Sequence, residues 1–287
     1  MVFRLFQLPL VALEHVLHMM NPHQLIDISM TSFKNKMTVK SFLRNKPKFQ
    51  VLLGVYQEPY ISIARQHESW EYGWTTNPQD INGRMKTKKH TDRIFYRIIK
   101  YSENPIEEWM IAYDHIREVL GCRFDALRWE FDSYPNQNRL IIDWIRNVQK
   151  YVNELKIACA KRKECNDEVK DLLSFLKATG RLRLENHRDD FELKIPQDAL
   201  HLHVDSSKFI KYKQFLRLNH PKIALFRSIL SGKEINRFLK KWMACEAHLR
   251  LEVLAIHIPG IQALHDIMRG LPHEWTTDPE TMKLFEE

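Results

Sequence analysis

Residues 124–160 read FDALRWEFDSYPNQNRLIIDWIRNVQKYVNELKIACA, and this stretch decides what kind of fold the chain can have. Leu127, Trp129 and Phe131 alternate with other residues at the period of a half-buried strand. Ile141, Trp144, Ile145 and Val148 then fall at i, i+3, i+4 and i+7, on one face of a helix. NELKIACA (153–160) returns to a strand pattern. The stretch therefore spells one strand–helix–strand unit.

The alternation continues towards the C-terminus. A helix carries Val169, Leu172, Leu173 and Leu176, and RLRLE (181–185), DALHLHV (198–204) and KIALF (222–226) read as strands. Ser231 and Glu234 have the form of a capping box, opening a helix with Ile235, Phe238, Leu239 and Trp242; LEVLAIHI (251–258) closes the series as a strand. Upstream, Trp109, Ala112, Tyr113 and Ile116 mark a helix over 106–120. Leu127, Leu155 and Leu182 lie 28 and 27 residues apart, and such spacing is that of leucine-rich-repeat-like solenoids. A single strand–helix unit cannot bury its apolar face, so neighbours must stack on it. Helical links favour parallel strands and right-handed crossovers. The usual repeat Asn is missing. A doubly wound α/β sheet competes, but the chain has 8 glycines and no G-x-G-x-x-G after a strand.

Residues 49–101 have a different texture. FQVLLGV, YISIARQ, SWEYGW and RIFYRIIKY are short β-rich runs separated by Glu58-Pro59, Asn77-Pro78 and Asn82-Gly83, which predicts a small antiparallel sheet. The basic stretch RMKTKKHTDR (84–93) reads as a solvated hairpin loop.

Residues 8–32, LPLVALEHVLHMMNPHQLIDISMTS, predict helices broken by prolines. Leu13, Val16, Leu17 and Met20 share one face; Pro9 suits the first turn; Asn21 can cap a second helix with Pro22 at its first position; Thr31 and Ser32 can cap a third reaching Phe42 and Leu43. A unit of about 40 residues cannot easily stand alone, so either the rest of the chain or another protein must cover its apolar surface. The expected fold is thus α/β: three N-terminal helices (1–44), a small β-rich region (45–104), an irregular leucine-rich-repeat-like strand–helix array (105–271) and a tail (272–287).

Composition narrows the function. At 287 residues with 44% hydrophobic and 28% charged residues, the chain reads as globular, and a net charge of +8 permits acidic partners without arguing for nucleic acid. No apolar run reaches the roughly 18 residues of a membrane span. Cys122, Cys159, Cys165 and Cys245 form no C-x-x-C pair and no disulfide framework, so a cytoplasmic or nuclear location is expected. No G-x-S-x-G, H-E-x-x-H or Walker pattern occurs. His201 and His203 would share one strand face, but no nearby ligands complete a metal site, and the Asp189-Asp190 and Glu107-Glu108 pairs read as solvated caps. The chain is therefore expected to be a binding protein rather than an enzyme, with no metal and no cofactor.

The residues resemble a known family. Leu8-Pro9, Leu13, Val16-Leu17, Met20, Asn21-Pro22, Leu25-Ile26, Ile28-Ser29, Thr31-Ser32 and Val39 resemble an F-box over 3–44. REVLGCRFDALRWEFDSYPNQNRLIIDWI (117–145), VNELKI (152–157) and INRFLKKWMACEAHLRLEVLAI (235–256) resemble the type-2 F-box-associated domain of the large nematode-expanded F-box family. That family tends to place a basic residue after the serine of the third helix, where this chain has Phe33. The resemblance implies a substrate-recognition subunit of an SCF-type ubiquitin ligase, bound to the adaptor and through it to a cullin, with a protein substrate of unknown identity. The implied adaptor-binding residues are Leu8, Pro9, Leu13, Val16, Leu17, Leu25, Ile28 and Ser32. The alternative is a non-ligase interaction scaffold whose F-box-like helices belong to its own core.

Overall fold

A computed structural model describes residues 5–46, 48–81, 85–88, 94–159, 165–185, 192–258, 260–274, 276, 278 and 279. Residues 84 and 89–93 of the basic stretch, the Asp189-Asp190 pair and residues 280–287 of the tail lie outside them. The chain divides into two compact units, 1–128 and 129–287.

The first unit opens with three helices, α1 (Leu10–Met19), α2 (Pro22–Ser29) and α3 (Phe33–Leu43). Their boundaries are local chemistry. Pro9 precedes α1; Asn21 and Gln24 form a reciprocal capping box around Pro22; Ser32 accepts the Asn35 N–H at 3.1 Å to start α3. Strands β1 (Gln50–Val55), β2 (Tyr60–Arg65) and β3 (Glu68–Thr75) follow as an antiparallel meander. After a 3-10 turn at Pro78–Asp80 come β4 (Met85–Lys88) and β5 (Ile94–Tyr101).

This sheet corrects two expectations. Its strands pair in mixed rather than antiparallel fashion, with β1-β2-β3-β5-β4 as consecutive neighbours, because β5 runs parallel to β3. Part of the basic stretch is strand rather than loop: β4 pairs antiparallel with β5 at the sheet's edge, which turns the chain back so that β5 inserts beside β3.

The period of two sorts the two faces of this sheet. Ile61, Ile63, Trp70 and Tyr72 fall on one face, buried, with the Tyr72 ring tilted against that of His23 of α2, centres 4.4 Å apart. The opposite face carries polar partners, such as Arg97 bound to Glu58 (2.9 Å) and Glu71 (2.8 Å). Gly54 is required there, since a Cβ would come 2.1 Å from the Tyr60 ring opposite it. Helix α4 (Pro105–Leu120) ends at Gly121, whose φ of 62° is the left-handed cap conformation. It buries Trp109, Tyr113 and Ile116, and the Trp109 indole donates to the Tyr60 carbonyl at 3.0 Å.

Strand β6 (Ala126–Glu130) carries the chain from one unit to the next. The second unit follows the predicted strand–helix order, with two helices, α7 and α9, that the sequence reading does not include: α5 (Asn138–Val148), β7 (Tyr151–Ala158), α6 (Cys165–Phe175), β8 (Lys177–Glu185), β9 (His201–Val204), α7 (Tyr212–Phe215), β10 (Lys222–Leu225), α8 (Gly232–Met243), β11 (Val253–Ile256) and α9 (Ile261–Met268). Strands β7 to β11 are parallel and lie in sequence order. Right-handed links advancing in one direction place their helices on one face.

That face is apolar in two registered rows. One is Leu155, Leu182, Leu202, Ile223 and Leu254; the other is Ile157, Leu184, Val204, Leu225 and Ile256. Phe215 of α7 and Phe238 of α8 meet with ring centres 4.6 Å apart. Buried Asn138 of α5 donates to the Phe131 carbonyl (2.9 Å) and to Glu168 of α6 (2.8 Å). Cys159 and Cys165 are joined as a disulfide, their Cα atoms 6.4 Å apart, which the sequence reading did not anticipate, while Cys122 and Cys245 are free.

Candidate functional site

Two surfaces offer themselves for recognition, one in each unit. In the first unit, α1 and α3 flank an open groove of about 630 Å³. Leu10, Leu13 and Leu17 line it from α1 at i, i+3 and i+7, and Phe33 and Met37 line it from α3. Leu13 and Leu17 form its buried floor, whereas Phe33 is 76% exposed and Leu10 71% exposed. Val11 and Met19 of α1 and Met30 at the end of α2 are also exposed. Lys46 stands over the Phe42 ring at 5.1 Å, and Glu14 and Lys34 give the groove a charged rim.

The helices' other side is occupied. The Ser29 hydroxyl is 2.8 Å from His115 Nε2 of α4, Lys40 lies 3.7 Å from Glu118, and Lys36 forms an ion pair with the same carboxylate. Lys36 holds the Glu118 carboxyl below its usual range, while burial and then Lys36 lower the His115 pKa, favouring the neutral imidazole.

The residues expected to bind an adaptor separate accordingly. Leu13 and Leu17 come together in the groove. Leu25 is buried among the helices at 2% exposure and offers no contact surface as the chain stands. Leu8, Val16 and Ile28 are half-buried; Pro9 is exposed at the start of α1; Ser32 is exposed and serves as the α3 cap. Sequence reasoning missed Leu10, Val11, Phe33 and Met37. The signal was Phe33 itself, an apolar residue directly after a helix cap.

In the second unit, the sheet face opposite the leucine rows is charged. Glu154 and Lys156 of β7, Arg181 and Arg183 of β8, His201 and His203 of β9, and Lys222 of β10 share it by register. Lys156 pairs with Glu185 at 2.8 Å, and His203 Nε2 lies 2.6 Å from Asp205. His201 is pushed down to about 4, first by burial and then by the surrounding Arg181, His203, Lys222 and Arg183. The two histidines share a face as their spacing predicts, but their strand neighbours are cations rather than further ligands. Among the described residues no group of three or more His, Cys, Asp and Glu is placed to hold a metal ion. The Cys122 thiol is pushed up to about 11 by burial, which keeps it protonated. Among the described residues no helix is long and apolar enough to cross a membrane.

Comparison with known proteins bears on this second unit. Residues 190–256 match a family model described as F-box associated. The matched segment contains β9, β10, β11 and α8. No curated protein and no solved structure matches the chain. The match supports an F-box-associated domain in this part of the molecule and, with it, a general role in substrate recognition.

Proposed function

We propose that the chain is the substrate-receptor subunit of an SCF-type ubiquitin ligase, acting in the cytoplasm or nucleus without a catalytic group of its own. In this reading α1–α3 are an F-box whose groove between α1 and α3 seats the adaptor, and a cullin joins through the adaptor. The leucine-rich-repeat-like array of the second unit holds the protein substrate. The observation that carries the reading is the uncovered apolar face at Leu10, Val11, Phe33 and Met37, on the N-terminal helices of a chain that also carries the F-box-associated match. An interface concentrates its energy in a few central apolar anchors.

The test is co-purification with the adaptor. Phe33→Glu with Met37→Glu places charges where the wild-type side chains are exposed, so the fold is retained. Adaptor binding is expected to fall at least about thirtyfold, the size of a hot-spot loss. Full retention of adaptor by this folded variant overturns the reading.

The alternative, a non-ligase scaffold whose helices complete its own core, is favoured by the contacts of Ser29 and Lys36 with α4. Deleting residues 1–44 does not separate the two readings, because both lose the core residues Leu17, Leu25 and Val39. The groove variant does separate them.

A further inference from the structure

Along one flank of the second unit, Lys170, Lys194, Lys211, Lys213 and Arg217 line a groove of about 670 Å³. Among the described residues that line it, Glu192 is the one carboxylate. We infer that this groove binds an acidic stretch of polypeptide, and that phosphorylation of the stretch strengthens binding. The inference rests on the receptor reading only in that the peptide is taken to belong to a substrate.

What distinguishes the groove within the unit is that several cations share one concavity. Some cations elsewhere are matched, as Arg139 and Arg146 reach Asp171 at 2.8 and 2.7 Å and Lys177 reaches Asp198 at 3.0 Å, while others, such as Lys233 and Lys241, stand apart on the convex surface of α8. In the groove Lys170 lies 3.4 Å from Asp167, but Lys194, Lys211, Lys213 and Arg217 make no ion pair with any described residue. Four like charges held in one concavity repel each other, and an anionic ligand relieves that repulsion.

The groove is also built rather than incidental. Its floor is the buried apolar set Leu193, Ile195 and Leu218. Three hydrogen bonds tie the segment 192–197 to the segment 214–220. The Gln214 amide donates to the Leu193 carbonyl (2.5 Å), the Asn219 N–H donates to the Gln197 side chain (2.7 Å), and His220 Nε2 lies 2.9 Å from the Pro196 carbonyl. A wall fixed before binding costs less to order on binding.

The chemistry favours a peptide. The volume lies within the roughly 300–1,000 Å³ usual for ligand sites. A single-stranded nucleic acid tracks a longer basic groove with successive stacking rings, and Phe209 is the one aromatic residue lining this groove. Lysine acts as a point charge, whereas arginine selects carboxylate and phosphate geometry bidentately. A groove with four lysines and one arginine therefore reads net negative charge. A phosphate group, carrying about −1.5 to −2 charges, exceeds a carboxylate on that scale.

The experiment uses the full chain and fluorescence anisotropy. The probes are three short fluorescein-labelled peptides of one length, alternating Ser with Glu, phosphoserine with Glu, and Ser with Gln. The Glu peptide is expected to bind, the phosphoserine peptide to bind more tightly, and the Gln peptide to show no binding. Lys211→Glu with Lys213→Glu, both at exposed positions, is expected to weaken the first two at least about tenfold, close to 1.4 kcal/mol. Lys233→Glu with Lys241→Glu on exposed positions of α8 is the control expected to change nothing. Equal binding of the Gln peptide, or unchanged binding by the groove variant, overturns the inference. So does tighter binding of single-stranded RNA or phosphatidylserine vesicles that the same variant abolishes. An adaptor pull-down on the same samples keeps the two readings apart: protein that binds the acidic peptides but no adaptor loses the receptor reading and keeps the groove.

Discussion

The two units build sheets under opposite rules and expose opposite surfaces. In the first, consecutive strands β1, β2 and β3 pair through short turns, and α4 and the N-terminal helices supply cover from distant parts of the sequence. In the second, neighbouring strands are parallel and every link must cross over, so the connections are themselves available as cover. The groove of the first is lined by exposed apolar side chains, at Phe33 and Leu10; the sheet face and the groove of the second are charged, at Arg183, Lys222 and the lysines, with its exposed apolar residues, such as Leu249 and Ile261, lying elsewhere. A meander must borrow its cover, and its borrowed helices keep an exposed outer face. A crossover array covers itself and leaves its charged face to solvent or to a solvated ligand.

The sharpest way to break this comparison is Trp109→Ala. The ring is fully buried and its indole donates to Tyr60, so the substitution is expected to cost about 3–5 kcal/mol and to unfold the first unit, read by chemical denaturation. Borrowed cover predicts that the second unit's transition survives it. Leu182→Ala removes a member of the registered leucine row and is expected to cost about 2–5 kcal/mol in the second unit's transition alone. If either variant melts both units in a single shifted transition, the contrast between them has no energetic content.

Smaller effects refine the picture. Ser231→Ala removes half of the α8 capping box and is expected to cost about 1 kcal/mol, with Ser231→Asp restoring most of it. The last is a pH dependence. His201 stays neutral in the fold down to about 4, whereas an unfolded histidine takes its proton near 6.5. Below 6.5 the unfolded state binds more protons, so stability falls as pH drops from about 6.5 to about 4 and levels off below. His201→Asn is expected to flatten part of that slope in thermal melts; His220 and His248, also lowered by burial, retain the remainder.

Legibility in the sequence followed the range of the interactions. The ends of α1, α2, α3 and α8 could be read because Pro22, Asn21, Ser32 and Ser231 act on neighbours three residues away. The start of the leucine row, Leu155 and Leu182, could be read from a spacing close to that before it, but Leu202, Ile223 and Leu254 follow at uneven intervals and were read only as separate strands. The place of β5 beside β3 could not, since strand order is a choice made across the sheet. Helix α9 was missed because its stop and start signals, Gly260 and Ile261, are weak and its packing on α8 is tertiary. Periodicity named apolar faces of α1 and α2 but not which members stay uncovered, and no face of α3, so Leu25 of α2 was put forward and Phe33 of α3 was not. The lysine groove draws on 170, 194, 211, 213 and 217, and no window along the chain contains them all.

The bridge from Ser29 and Lys36 to α4 also has a consequence for synthesis. About 60 residues separate the end of α3 from the start of α4. At about 5–20 residues per second, a growing chain presents its first three helices for roughly 3–12 seconds before their inner supports emerge from the ribosome. During that interval both sides of those helices are bare, so a chaperone or an early-arriving binding protein meets a greasier surface than the finished molecule ever shows.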